Sequence, residues 1–251
     1  MKPWHELPLP APWRRLEAVA STPSTQDAVV VSAGSDSGVV LVATAQTSGR
    51  GRLDRSWTSP PGAGLWFSAL LRTQRPVADV GVVPLLSAVA IARTLNQDWG
   101  LASRVKWPND VLVNDAKIAG VLVQVVNSDC VVIGVGINTS MTHEQRPIAT
   151  ATSLAMEGVV GFDHPQLLMS ILGHLGELVG PIEKEGPWPS DVLAEYRALS
   201  STVGRQVSVH LPSGQTLNGL ALGLDPHGRL EVQGADGVIV TVGAGDVVHV
   251  R

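Results

Sequence analysis

Between residues 111 and 138 three apolar runs follow one another with almost nothing between them. Val111-Leu112-Val113 turns at Asn114-Asp115 into Lys117 to Val126, and that run turns at Asn127-Ser128-Asp129 into Cys130 to Asn138. A connection of two or three residues leaves no room for a crossover helix, so these runs are neighbouring antiparallel strands. A sheet with an antiparallel meander at its centre is therefore the frame on which the rest must be hung. Val39 to Ala45 and Leu65 to Leu71 read as two further strands.

Helices flank these strands. Ser24-Thr25-Gln26-Asp27 has the hydroxyl-then-acid spacing of a helix start. Residues 84–99 repeat apolar side chains at helical period, with Pro84 in the first turn and Gly100 after the end. Pro165 to Ile182 is strongly amphipathic, and Ser190 is placed to cap a helix ending near Ser200. The Pro- and Trp-rich residues 1–23 read as an irregular lead-in.

After Thr202 the texture changes to short strands separated by turns such as Pro212-Ser213-Gly214 and Asp236-Gly237. They run at 207–209, 217–224, 230–232, 238–240 and 247–250. Five short strands in so little chain suit a small SH3-like barrel. The expectation is an α+β chain, with a mixed, mostly antiparallel sheet and flanking helices over 1–200 and a small β-barrel over 201–251.

Composition removes several functions. The chain has 251 residues, enough for one large and one small domain, and its formal net charge of −4 argues against a general nucleic-acid binder. The single cysteine, Cys130, lies in an apolar run and reads as a buried hydrophobe. The start has no signal-peptide pattern and no uninterrupted apolar run approaches membrane-spanning length, so a cytoplasmic location without membrane contact is expected. No Gly-Lys-Ser/Thr follows a glycine-rich turn, which excludes a Walker-type phosphate loop.

Against that acidic background, Gly49-Arg50-Gly51-Arg52-Leu53-Asp54-Arg55 concentrates three arginines. Glycines let backbone approach a ligand, and arginine forks match phosphate or carboxylate, so the segment points to a local anionic partner. Three like charges on so flexible a loop also imply self-repulsion until a ligand supplies the anion. Residues 141–150, polar and uneven, read as a second mobile loop, free to order over a ligand.

Four blocks stand in order along the chain: Ser24-Thr25-Gln26, Gly49-Arg50-Gly51-Arg52 before Trp57, Lys106-Trp107-Pro108-Asn109-Asp110 with Lys117-Ile118-Ala119-Gly120, and Gly134-Val135-Gly136-Ile137-Asn138. In these motifs the chain resembles biotin protein ligases over nearly its whole length. One departure is visible: the family's Ser-Thr-Asn reads Ser-Thr-Gln here, which keeps the amide on a longer stem. The resemblance implies ATP-driven activation of biotin to biotinyl-AMP, then transfer to a lysine of a biotin carboxyl-carrier domain. ATP and Mg²⁺ enter as co-substrate and activator.

The site residues follow from the same resemblance. Lys117 and Arg52 are the catalytic cations. Biotin is held by Ser24, Thr25, Gln26, Gln46, Gly49, Arg50, Gly51, Arg52, Trp57, Lys117 and Gly120. The nucleotide meets Arg50, Arg52, Trp57, Lys106, Asn109, Asp110, Lys117, Gly136, Asn138 and Thr152, with Asp110 as the candidate Mg²⁺ contact. Trp57 packs over the loop or the adenine, with plain core packing as the alternative. The resemblance is to the monofunctional type, because residues before Ser24 leave no room for a three-helix DNA-binding module, so no specific DNA contact is expected. A homodimer is compatible with the pattern. Two other readings stay open: a lipoate ligase or acyltransferase sharing the fold, and a nucleic-acid-binding regulator using the arginine loop.

Overall fold

A computed structural model of the chain describes residues 4, 7–53, 55–73, 75–183 and 190–250. Its main element is a seven-stranded sheet in the order β1-β2-β3-β7-β6-β5-β4. These strands are β1 (Arg15–Thr22), β2 (Val39–Gln46), β3 (Gly64–Arg72), β4 (Arg104–Lys106), β5 (Asp110–Val113), β6 (Ala116–Val126) and β7 (Cys130–Asn138). The expected meander is β5-β6-β7, antiparallel throughout, with Gly120 opposite Gly136 in register. Among the described strands of this sheet, β1 and β2 are the pair that runs parallel.

Strand β1 corrects the reading of residues 1–23 as irregular. The helix α1 (Thr25–Ala33) forms the crossover that such a parallel pair requires. Trp13, buried, anchors the lead-in by donating from its indole Nε1 to the Leu172 carbonyl at 2.8 Å.

Helices cover both faces of the sheet. α1 packs its Val29 and Ala33 with Val39, Leu41, Leu70 and Val132, and Cys130 lies in that cluster as a buried apolar filler. On the other face lie α2 (Val83–Trp99), α3 (His164–Val179) and α4 (Ser190–Leu199). α3 stops three residues short of the expected end and tightens into a 3₁₀ turn over Gly180–Glu183. The capping side chain expected of Ser190 lies outside the described residues. With the 3₁₀ turn before it, α2 is long and apolar enough to cross a membrane, yet 72% of that window is buried inside the protein. It is a core helix by environment.

The second sheet is β8 (Gln206–His210), β9 (Thr216–Leu224), β10 (Leu230–Gln233), β11 (Ile239–Val242) and β12 (Asp246–His249), all antiparallel. Its order is β11-β10-β9-β8-β12, so β11 and β12 are its edges, an arrangement consistent with a small barrel-like unit. The two sheets share one hydrophobic cluster: Val207, Val209, Leu224 and Leu230 join it alongside Val105, Trp107 and Tyr196. Trp107 sits at the seam, donating from its backbone N–H to Thr202 Oγ1 at 3.2 Å and from Nε1 to the Gly228 carbonyl at 3.1 Å.

Candidate active site

The ends of β2, β6 and β7, the start of α1, the turn after β4, the arginine segment and the edge of the second sheet surround a cavity of about 550 Å³. Its closed end is built from neutral polar groups. Thr25 opens α1, and its backbone N–H and Oγ1 both donate to Gln46 Oε1, at 2.8 and 3.1 Å. Thr25 Oγ1 also meets Ser68 Oγ at 2.8 Å, and Gln46 Nε2 donates to Ser59 Oγ at 3.0 Å. Ser24 is buried at the helix start without forming the expected side-chain cap, and Asp27, the acid of the expected box, turns outward to Arg50 instead.

Gln26 reveals how the longer stem is housed. Its Nε2 donates to the Leu122 carbonyl at 2.7 Å, and its side chain lies over Gly134, where a Cβ would fall 2.3 Å from that nitrogen. Its Oε1 is buried with no hydrogen-bond partner among the described residues. A buried acceptor left open is costly, so it is a ready place for a ligand N–H.

Trp57 forms the cavity wall. Its ring lies against two facing glycines: a Cβ would come within 2.8 Å of it at Gly120 and 2.5 Å at Gly136. Its edge meets Trp66, with ring centroids 6.2 Å apart. Lys117 Nζ stands 5.2 Å from the Trp57 ring centroid and forms an ion pair with Asp110 at 2.6 Å. The Lys117 backbone is bracketed on both sides, its N–H donating to the Thr150 carbonyl at 2.7 Å and its carbonyl accepting from Thr152 N–H at 2.9 Å.

At the open end the arginine segment is a tight hairpin. Arg50 pairs with Ser56 as an antiparallel bridge, Gly51 N–H donates to the Arg55 carbonyl, and Trp57 N–H donates to the Gly49 carbonyl at 2.8 Å. Each arginine already has a protein partner. Arg50 holds Asp27 Oδ1 at 2.6 Å and Gln124 Oε1 at 3.4 Å. Arg52 Nη1 reaches Asn109 Oδ1 at 3.3 Å and the Gly245 carbonyl at 3.4 Å. Arg55 pairs with Asp246. The expectation of unrelieved self-repulsion in this loop does not hold. Burial pushes the Arg52 guanidinium below its ordinary pKa, and Asp246 and then Asp110 oppose that shift.

Most of the expected residues meet at this cavity. Ser24, Thr25, Gln26, Gln46, Arg50, Gly51, Arg52, Trp57, Lys106, Asn109, Asp110, Lys117, Gly120, Gly136 and Asn138 all line it. Two do not. Gly49 sits at the hairpin base, where a Cβ would fall 2.4 Å from the Trp57 carbonyl. Thr152 is buried behind the wall, its Oγ1 donating to Glu157 at 2.6 Å while its backbone brackets Lys117. Asn138 lines the cavity, but its Nδ2 is spent on the Thr152 carbonyl at 2.9 Å. Asn109 likewise gives its Nδ2 to the Val121 carbonyl.

Sequence reasoning missed Gly134, Leu122 and the residues from the second sheet, His210, Asp246, Val247 and Val248, which also line the cavity. The paired glycines of 134–136 were a usable signal for the first. Nothing local marks the second-sheet residues.

Among the described residues no group of three or more His, Cys, Asp or Glu is placed to hold a metal ion. The donor set, with Asp110 and Asp246 as the carboxylates lining the cavity, fits a Mg²⁺ that arrives on phosphate oxygens and does not fit a protein-built cage.

Comparison with known proteins gives a consistent family pattern. The profile of the biotin/lipoate A/B protein ligase family matches residues 18–138, and that of the biotin protein ligase C-terminal domain matches residues 202–250. The chain is 36% identical over 246 residues to the biotin–[acetyl-CoA-carboxylase] ligase of Mycobacterium tuberculosis, covering 95% of this chain and 90% of that protein. It is 32% identical over 208 residues to the bifunctional ligase/repressor BirA of Bacillus subtilis, covering 80% of this chain and 63% of that longer protein. Among solved structures, the Aquifex aeolicus biotin protein ligase in complex with biotin and ATP superposes with a TM-score of 0.80 at 24% identity, covering 95% of this chain and 100% of the other. The Leishmania major enzyme in complex with biotinyl-5-AMP superposes at 0.62 with 25% identity, covering 92% and 99%.

Proposed function

The chain belongs to the biotin protein ligase family, and on that premise we propose how its cavity carries out an ATP-dependent, AMP-forming ligation of biotin to protein. The observation that supports this reading is the division of one cavity into a neutral hydrogen-bonding end and a cationic end, with Lys117 beside Trp57 and Gly120 between them. A ureido head and apolar ring suit the first end, and a nucleotide polyphosphate suits the second.

The ureido group is planar and polar, and an apolar wall alone cannot orient it. Thr25, Gln46 and the open Gln26 Oε1 offer fixed donors and acceptors for it, with Ser24 beside them. The Trp57 face packs on the thiophane ring and chain. The chain carboxylate then lies toward Lys117.

In the first step a carboxylate oxygen of biotin attacks the α-phosphorus of ATP. The α–β bridging bond breaks, pyrophosphate leaves, and a mixed anhydride, biotinyl-AMP, remains. Two anions must meet, so the barrier is largely electrostatic, and preplaced cations in a partly dry site lower it. Lys117 acts as a compact point charge between carboxylate and α-phosphate, and Arg52 as a fork on the phosphate oxygens, with Arg50 closing over the carboxylate side. The Asp110 carboxylate, now paired with Lys117, yields that ammonium to the ligands while Lys106 and Asn109 flank the nucleotide. No general base is needed, because the attacking carboxylate is already ionised at neutral pH. In the second step the neutral amine of a carrier-domain lysine attacks the acyl carbon; AMP leaves and the amine proton passes to solvent. Mg²⁺, when bound, neutralises phosphate charge.

The division into a catalytic unit up to residue 200 and a small unit from 201 is part of this reading, as is the carrier domain of an acyl-CoA carboxylase as protein substrate. A single buried thiol is compatible with a reducing, cytoplasmic setting. The test is exchange of labelled pyrophosphate into ATP by the purified chain with Mg²⁺ and biotin and no carrier protein. Biotin-dependent exchange is expected. Exchange supported by lipoate and not by biotin would reject this reading in favour of the other branch of the family.

A further inference from the structure

The arginine hairpin is tied down on two opposite sides. Arg50, toward the closed end, is held by Asp27 of α1 and Gln124 of β6. Arg52 and Arg55, toward the open end, are held by the edge of the second sheet, through the Gly245 carbonyl and the Asp246 carboxylate. We propose that Asp246 is a positioning residue for the nucleotide end of this hairpin: by clasping Arg55 beside the Gly245–Arg52 contact, it lets the second sheet set where the Arg52 guanidinium points. The proposal rests on the ligase reading given above.

The platform that carries Asp246 is rigid by construction. Asp246 opens β12 and stands opposite His210 of β8 in register. A Cβ on Gly245 would fall 2.9 Å from Val209 Cγ1 and 3.0 Å from the His210 carbonyl, so the backbone there is packed too closely for a side chain, and its carbonyl has little freedom. The sheet is in turn fixed to the 106–110 turn through Trp107, which bonds Thr202 and Gly228. That same turn presents Asn109, the other partner of Arg52. Arg52 is thus located by two surfaces joined to each other behind it, and the Arg55–Asp246 pair closes the triangle in front. Burial disfavours the charged Arg52, and Asp246 is the strongest group opposing that, so the carboxylate steadies Arg52 as well as Arg55.

Side-chain exposure of 64% for Arg55 and 28% for Asp246 limits the size of the effect. A pair so exposed changes an equilibrium by about threefold to fivefold and is weakened by salt.

The experiment compares the wild-type chain with Asp246→Asn, which keeps the shape and removes the charge. Two readouts are taken: KM for ATP and for biotin in biotin-dependent pyrophosphate exchange at low and high salt, and amide exchange across residues 49–57 without ligand. The expected result is an ATP KM raised about threefold to fivefold at low salt, the gap narrowing at high salt, with biotin KM changed less than about twofold. Amide exchange should quicken at 51–57 and stay unchanged at 206–210, and Asp246→Glu should restore both readouts. Unchanged ATP KM with unchanged exchange would overturn the proposal. So would a joint rise of both KM values with faster exchange in the second sheet, the mark of a merely structural residue. If Asp246→Asn does not fold, Arg55→Gln breaks the same pair from the hairpin side and is read in the same way. Loss of biotin-dependent exchange in the wild type would reject the ligase reading alone, because the amide-exchange comparison still decides the clasp.

Discussion

The two ends of the cavity are made by different means. At the closed end, neutral groups stand on a strand and a helix start: Thr25, Gln46 and Ser68 satisfy one another before any ligand arrives. At the open end, charged groups stand on a hairpin and on β6 and are matched to internal counter-charges or a carbonyl, Arg50 to Asp27, Arg55 to Asp246, Lys117 to Asp110 and Arg52 to Gly245. The first end is preformed for recognition, where a misplaced donor costs affinity. On the reading proposed above, the second is preformed for electrostatics, with internal carboxylates holding the cations in place for a phosphate. Truncation of the cation nearest the reacting atoms should therefore act on rate, and truncation at the closed end on affinity.

The largest expected effect is at the boundary. Lys117→Ala should slow adenylation by about 10²-fold or more, the range for removing one preorganised charge from a transition state. Its thermal unfolding should change little, because the ammonium's contacts are the Trp57 ring and a partly exposed pair with Asp110, and its backbone bracket survives. A wild-type exchange rate would break the comparison at its centre. Next comes Thr25→Ala, which removes the Oγ1 contacts to Gln46 Oε1 and Ser68 Oγ while the backbone N–H bond to Gln46 Oε1 survives. Isothermal titration should show biotin binding weakened by about 1–3 kcal/mol, with the exchange rate at saturating biotin within about a few-fold of wild type. A fall in that saturated rate comparable to the Lys117 variant would mean that the closed end is also catalytic. The smallest is Asp27→Asn. Its pair with Arg50 is solvent-exposed, so biotin affinity should shift by less than about 1 kcal/mol and only at low salt. A larger, salt-independent change would show that the outer pair controls the hairpin.

Legibility from sequence followed the range of the interactions. The β5-β6-β7 meander was readable because its turns are local, and Gly120 and Gly136 came with their motifs, but that they face each other under the Trp57 ring is visible only in the structure. Strand β1 was not, since Pro8, Pro10, Pro12 and Pro23 bracket it and its parallel partner lies across a helix. Strand β4, three residues long, carries too little pattern to detect alone. The cationic loop was conspicuous, yet its counter-charges were not: Asp246 lies 191 residues from Arg55, and no spacing rule connects them. Thr152 shows the converse. It was expected to meet the nucleotide, but its side chain is turned to Glu157 and its backbone to Lys117, so it supports the wall from behind.

The central claim is that a carboxylate and an α-phosphate are joined in this cavity. The most direct measurement is a single turnover of the purified chain with ATP labelled at the α-phosphorus, biotin and Mg²⁺, without a carrier protein. The account predicts that the label appears in biotinyl-AMP held by the protein, with unlabelled pyrophosphate as the co-product. Formation of ADP, or an adenylate made on lipoate in preference to biotin, would contradict it.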